Sequence, residues 1–551
     1  MVFQHIRWQV AVTIVGILSL FLTLYAVSST LEVTFVPEPG GTYVEGIVGP
    51  PGVINPLYYQ NQTDRDIGAL VFRGLTRISE SGVVVPDLAR SWDISPDDLA
   101  YTFELRNDVR WHDGQPFTAE DVAFTIRLVQ DPAFTGRPEL TELWRSIRVD
   151  VLDPYTVRFT LPQPFAPFLS FTTLGILPAH LFQDVPVEQV PDTLLSRRPV
   201  GTGPWRVVKN QGGEITLVPF EGYVGRKPML GQLSFFVYSS DEAVYSAYRR
   251  GEIMGISTVE PEDVVEIAEL DTLNLYNAPM AAYTMVVLNL ERPVFAEKSV
   301  RRALLYGLDR RGLISDVLNG QGIVADTFFL PSHWAYAPNV RTYPYDPERA
   351  RQLLDEAGWK DQNNDGVREK DGVPLSFVLL TNLEDPLQIA LINEISRQWA
   401  RIGVQAEPQA VGFSGLTQDF LRPRQFDAVL LNVSLQSPDP DLYSLWHSTQ
   451  TVDEGQNWAG WKHPEADELL VEGRRVLDHN TRRQIYAAFQ ELFSEEVPSL
   501  LLYHPVYTYA VDQQVQDVQV GPLFHPAERF RSLPAWYVNV RRVVATQTPI
   551  P

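Results

Sequence analysis

The sequence predicts an α/β protein carried behind one apolar N-terminal segment, and three observations support this. After residue 52 short strand patterns alternate with amphipathic helix patterns instead of grouping by type. That stretch has no low-complexity segment, long charge run or internal repeat. Ahead of it, Val10 to Val27 is an uncharged run of 18 residues, near the length that spans a bilayer core.

Arg7 and His5 precede the apolar run and the next basic residue is Arg65, which places the amino terminus inside and the rest outside. Residues 10–27 are read as a retained anchor, with a removed signal peptide as the alternative because Ala26-Val27-Ser28 offers small residues for cleavage. Residues 36–52 are rich in Pro and Gly and read as a tether entering the first strand. Residues 99–106 alternate as a strand, as do residues 155–161 after the Asp153-Pro154 turn. Thr118 with Asp121 forms a capping box before the apolar stripe Val122, Ile126, Val129. Residues 300–318 place Val300, Leu304, Leu308, Ile314 and Leu318 on one side of a helix. Asp346 caps the next helix, Pro347 takes its first turn and Gly358 ends it. A further helix over 481–496 buries Ile485, Phe489 and Phe493.

Composition excludes several functions. The chain has 551 residues, enough for about three domains at roughly 150 residues each. Cysteine is absent, which removes disulfides, thiolate metal sites and a cysteine nucleophile. With 45 basic and 68 acidic residues the net charge is −23, the wrong sign for binding nucleic acid. The nine histidines show no metal-ligand spacing, and no metal or cofactor is expected. Asp361-x-Asn363-x-Asp365-Gly366 starts like a calcium loop, but Gly372 stands where a bidentate Glu belongs, so a turn is expected. No GxSxG elbow, phosphate loop or metalloprotease motif appears, and an enzyme is not expected.

Longer blocks are more specific. PDLARSWDISPDDLAYTFELRNDVRWHDGQPFTAEDVAFTIRLVQDP at 86–132 resembles the signature of the bacterial extracellular solute-binding proteins of family 5, the peptide and nickel type receptors of ABC importers. The resemblance continues through VGTGPW at 200–205, VRRALLYGLDR at 300–310, YDPERARQLLDEAGW at 345–359, SPDPDLYSLWHS at 437–448 and NWAGWKHPEADELL at 457–470. It implies a two-lobed periplasmic-binding-protein type II (Venus-flytrap) fold with an extra inserted domain. The boundaries it suggests are a signal or anchor and tether at 1–35 and a discontinuous first domain at 40–75, 200–283 and 505–545. The inserted domain at 76–199 completes the first lobe, and 284–504 forms the second.

The implied function is capture of a small solute, foremost an oligopeptide, in the cleft between lobes, followed by delivery to an ABC permease. Oligosaccharide, nickel chelate and a solute-sensing receptor stay open as alternatives. The protein is expected outside the cytoplasm, as a monomer held to the membrane by its N-terminal segment or released from it. In peptide-binding relatives a tryptophan, and an aspartate that pairs with the peptide's amino group, stand where this chain has Val433 and Gln436. A neutral Gln436 cannot supply that charge, so Asp439 or Asp441 would have to substitute. Tyr443, Trp446, Trp458, Trp461, Trp334 and Tyr336 are aromatic cleft candidates, with Tyr59 from the first lobe. Gly201 and Gly203 are hinge candidates, through glycine's freedom at positive φ.

Overall fold

The computed structural model describes residues 2–79, 82–435, 437–453 and 455–546. The alternating segments expected from the sequence form, with small shifts at their ends. Ala100–Leu105 and Thr156–Thr160 pair as strands, and the first buries Tyr101, Phe103 and Leu105 on one face. Helix Ala119–Gln130 starts where the Thr118 N–H donates to Asp121 Oδ2 at 2.9 Å. Helix Pro347–Glu356 is capped by Asp346, whose Oδ1 accepts from the Arg349 N–H at 2.8 Å, and Gly358 follows at φ +87°.

Two expectations are corrected. The helix expected over 300–318 is two helices, Lys298–Tyr306 and Arg310–Asp316. Asp309 breaks it by capping the second, accepting from the Gly312 N–H at 2.9 Å; all five apolar positions are nonetheless buried. The expected tether at 36–52 is largely structured. Strand Leu31–Pro37 pairs with Val540–Thr546, and Thr42–Val48 lies inside the largest sheet.

That sheet has twelve strands and passes through most of the chain. One half contains Ala282–Leu288, Ala428–Ser434, Ser376–Asn382 and Gln405–Val411, the last two joined in parallel across helix Pro386–Ala400. The other half contains Thr42–Val48, Gln232–Tyr238, Glu214–Pro219 and Trp205–Gln211. The 14-residue strand Ser499–Asp512 belongs to both halves. Its first part pairs with Ala282–Leu288 and its second with Leu273–Pro279. Chain therefore crosses between the halves near Met280–Ala281 and His504–Val506. Pro505 has no N–H to give the ladder there, but its carbonyl accepts from the Met280 N–H at 2.9 Å. A separate four-stranded antiparallel sheet runs through Ala89–Ile94, Ala100–Leu105, Thr156–Thr160 and Arg148–Asp153.

Segments distant in sequence are joined at Arg529, which is fully buried. Its guanidinium donates to Glu45 Oε1 at 2.5 Å and to Asp66 Oδ2 at 2.6 Å. Tyr43 and Tyr509 donate their hydroxyls to the other Glu45 oxygen. A buried charge set of this kind is costly to break, about 3–5 kcal/mol when one partner is removed. It joins Thr42–Val48, Gln62–Val71, Ser499–Asp512 and Pro526–Ala535.

One long helix, Val2–Thr30, precedes the globular part. Its stretch Arg7–Tyr25 is 19 residues long, exposed, and apolar enough to cross a membrane.

Candidate functional site

Between the four-stranded sheet and the half of the large sheet that contains Ala428–Ser434 lies a cavity of about 530 Å³, within the usual size of small-ligand sites. Ile94, Tyr101, Leu169 and Ser170 line one wall; Trp334, Leu435, Asp439 and Arg482 line the opposite wall. Ala281, Pro522 and Phe524 close it beside the chain crossings.

The second wall is a fully connected polar arrangement on an apolar base. Arg482 comes from helix His479–Glu496 and pairs both its terminal nitrogens with Asp439, one at 2.9 Å, while its Nε donates to the Gly473 carbonyl at 3.0 Å. Trp334 lies over that guanidinium, 5.1 Å from its centre, and stacks against His479 with ring centres 4.0 Å apart. The Trp334 indole N–H and the His333 Nε2–H both donate to the Pro438 carbonyl, at 3.1 and 3.0 Å. His333 Nδ1 accepts from the Ala335 N–H at 3.1 Å, so both ring nitrogens are satisfied only in the neutral form. Burial pushes the His333 pKa down to about 4.

At Ala166, itself part of the lining, the two walls touch. The Ala166 N–H donates to the Arg474 carbonyl at 2.7 Å. The Arg474 guanidinium lies 5.5 Å from the Phe165 ring on one side and 4.1 Å from Tyr443 on the other. Asp441 holds it with two bonds of 2.8 and 2.7 Å.

Trp334 and Asp439 line the cavity. Tyr443 does not; it stacks on His447 beneath Arg474. Trp446 and Trp461 are core residues, 2% and 5% exposed, packed edge-on against Phe493. Val433, Trp458 and Tyr336 are half-buried against the same apolar cluster and away from the cavity lining. Tyr59 packs over helix Gln62–Val71, where a Cβ on Gly68 would meet its hydroxyl at 1.7 Å. Gln436 lies outside the described residues.

Gly201 and Gly203 sit away from both chain crossings. A Cβ on Gly201 would stand 1.9 Å from the Val71 carbonyl oxygen, and one on Gly203 2.5 Å from that of Leu70. Neither has positive φ. Close backbone approach, not conformational freedom, requires glycine here. His112 holds the pair by accepting from the Gly201 N–H at 3.2 Å through Nδ1 and donating to the Gly203 carbonyl at 3.0 Å through Nε2. Asp361 to Gly366 forms a turn satisfied internally, the Gly366 N–H donating to Asp361 at 3.0 Å.

Sequence reasoning missed Tyr101, Ser170, His333, His479, Arg482 and Phe524. Tyr101 reads as an ordinary core residue of an alternating strand. The two histidines lack metal spacing, although His333 adjoins Trp334 in the same loop.

The profile of the bacterial extracellular solute-binding proteins, family 5, middle region, matches residues 83–454. An oligopeptide-binding protein of Bacillus subtilis, AppA, is 29% identical over 510 residues, covering 91% of this chain and 92% of its own. Its structure with a nonapeptide superposes with a TM-score of 0.73 at 28% identity over 92% of this chain and 100% of that one. The dipeptide-binding protein of Escherichia coli is 26% identical over 92% of this chain and 96% of its own. Campylobacter jejuni NikZ in complex with Ni(L-His) gives a TM-score of 0.73 at 27% identity, covering 90% of this chain and 99% of that one.

Proposed function

The chain belongs to the bacterial extracellular solute-binding proteins of family 5, and we propose that it is the extracytoplasmic binding component of an ABC importer that captures short peptides. The observation carrying this reading is the cavity of about 530 Å³ whose two walls come from segments far apart in the chain and meet again at Ala166 and Arg474. Such a site engages its ligand from both sides, so ligand favours the closed arrangement by the contacts it makes only there.

In this reading the first lobe comprises 40–75, 200–283 and 505–545 with 76–199 inserted, and the second lobe is 284–504. The lobes move about the crossings at Met280–Ala281 and His504–Val506, where two paired strands and Pro505 form the connection. Asp439 is the carboxylate among the described lining residues. It seats the ligand's ammonium end while Arg482 fixes its orientation. Trp334 supplies an aromatic platform beside it. The protein acts as a monomer, retains its N-terminal helix as a membrane anchor and passes the closed, loaded form to the permease.

Peptide binding is tested on the full chain purified in mild detergent, by native mass spectrometry followed by denaturing extraction of whatever it carries. A heterogeneous set of short peptides is expected. A hexose-spaced mass series or a metal complex in their place would overturn the peptide reading and leave the family unaffected.

A further inference from the structure

The two walls of the cavity differ in how their polar atoms are satisfied. On the wall bearing Asp439, the Arg482 guanidinium, the His333 ring and the Trp334 indole all have partners. On the wall bearing Tyr101 two hydroxyls do not. Tyr101 is fully buried and Ser170 is 6% exposed, both line the cavity, and neither hydroxyl makes a hydrogen bond among the described residues. Buried hydroxyls rarely stay unpaired, since each has given up water without replacement.

Their positions are fixed. Tyr101 opens strand Ala100–Leu105 and its ring packs on Phe168 with centres 4.7 Å apart. Ser170 lies on the short helix Phe168–Phe171 that carries the same Phe168. Burial pushes the Tyr101 phenol up to about 12, with Asp98 of the turn before its own strand and then Asp439 of the opposite wall raising it further and Arg482 opposing them, so it stays protonated and able to donate. Around the two hydroxyls the lining is uncharged: Val83, Val84, Ile94, Ala166 and Leu169.

We infer that Tyr101 Oη and Ser170 Oγ hydrogen-bond a neutral backbone amide of the bound peptide, and that their uncharged wall selects apolar residues at that point of the ligand. This rests on the peptide reading. A hydroxyl both donates and accepts, matching the C=O and N–H of an amide. A charged side chain on that wall would be desolvated with no partner. Ammonium recognition at Asp439 and amide recognition at Tyr101 then divide the ligand between the lobes.

The test exposes detergent-solubilised full chain to an equimolar tetrapeptide library, identifies the retained peptides by mass spectrometry, and titrates the best-retained one calorimetrically. Wild type, Tyr101→Phe and Ser170→Ala are compared. We expect retained peptides enriched in apolar residues and an affinity loss of about 5- to 30-fold in each variant, as for one lost ligand hydrogen bond. Both empty variants should melt at or above the wild-type temperature, because each removes an unpaired buried hydroxyl. A merely structural tyrosine would not give weaker binding with undiminished stability. Affinities within twofold of wild type in both variants, or enrichment of charged over apolar tetrapeptides, would overturn the inference with peptide binding intact. A wild type that retains no tetrapeptide would remove the peptide reading and this inference with it.

Discussion

At the residue scale, His112 and His333 repeat one device in different places. Each ring accepts a backbone N–H at Nδ1 and donates to a backbone carbonyl from Nε2, so each is held neutral. Burial, the larger cause, brings both to about 4 from the ordinary 6.5. A folded pKa below the unfolded one means that the unfolded chain binds more protons between these values. Stability is therefore full above about pH 6.5 and is lost as pH falls towards 4, by on the order of 3 kcal/mol for each histidine. Melting temperature should drop between pH 7 and pH 4.5, and a His112→Gln, His333→Gln double variant should drop less. Equal drops would show that the acid sensitivity resides elsewhere. Neither role is legible in sequence, because the partners are backbone groups brought close only by folding.

At the element scale, the contact between the short segment at 165–166 and the end of helix Pro464–Arg475 is what brings the two walls together. Arg474 is shared between Phe165 on one side and Asp441 with Tyr443 on the other. Phe165→Ala isolates the contact between the walls, whereas removing Arg474 would strand the Asp441 carboxylate. Losing about 0.5–1 kcal/mol of cation–π attraction present only when the walls meet should speed peptide release two- to fivefold. Stopped-flow dissociation measures this, and an unchanged release rate would show that the contact does not favour closure. A local turn at Asp441 is readable from sequence, and the residue accepts from the Tyr443 N–H at 3.2 Å, although the helix that follows is capped at Leu442 and not by Asp441. The bond from Asp441 to Arg474, 33 residues away, is not readable there.

At the scale of the whole molecule, the N-terminal helix runs directly into strand Leu31–Pro37, which pairs over seven residues with Val540–Thr546 near the other end of the chain. Both ends of the globular part thus meet beside the membrane-length helix, in a two-stranded ribbon that needs support to persist. With the helix retained, the protein should stay in the membrane fraction through an alkaline carbonate wash, with an intact mass that includes residues 1–28. A mass beginning near residue 29, with the protein in the soluble fraction, would show instead that the segment is a removed signal. The net charge of −23 disfavours adhesion of the chain to an anionic surface.

Local sequence suffices for the α/β class, the caps of the helices at 119 and 347, the apolar N-terminal helix and, through long blocks from residue 86 to 470, the family. These are local patterns or accumulated identities, which need no knowledge of what lies opposite. Tertiary structure decided the site. It placed Trp334 at the cavity but turned Trp446 and Trp461 into the core, although all three are tryptophans in similar contexts. It moved the crossings away from Gly201 and Gly203 to Met280–Ala281 and His504–Val506. It also aligned Tyr101, a regular member of an alternating strand, with a cavity whose other wall lies more than 200 residues along the chain. Whether a side chain meets core, backbone or ligand depends on what packs against it from remote segments, and one-dimensional periodicity does not carry that information.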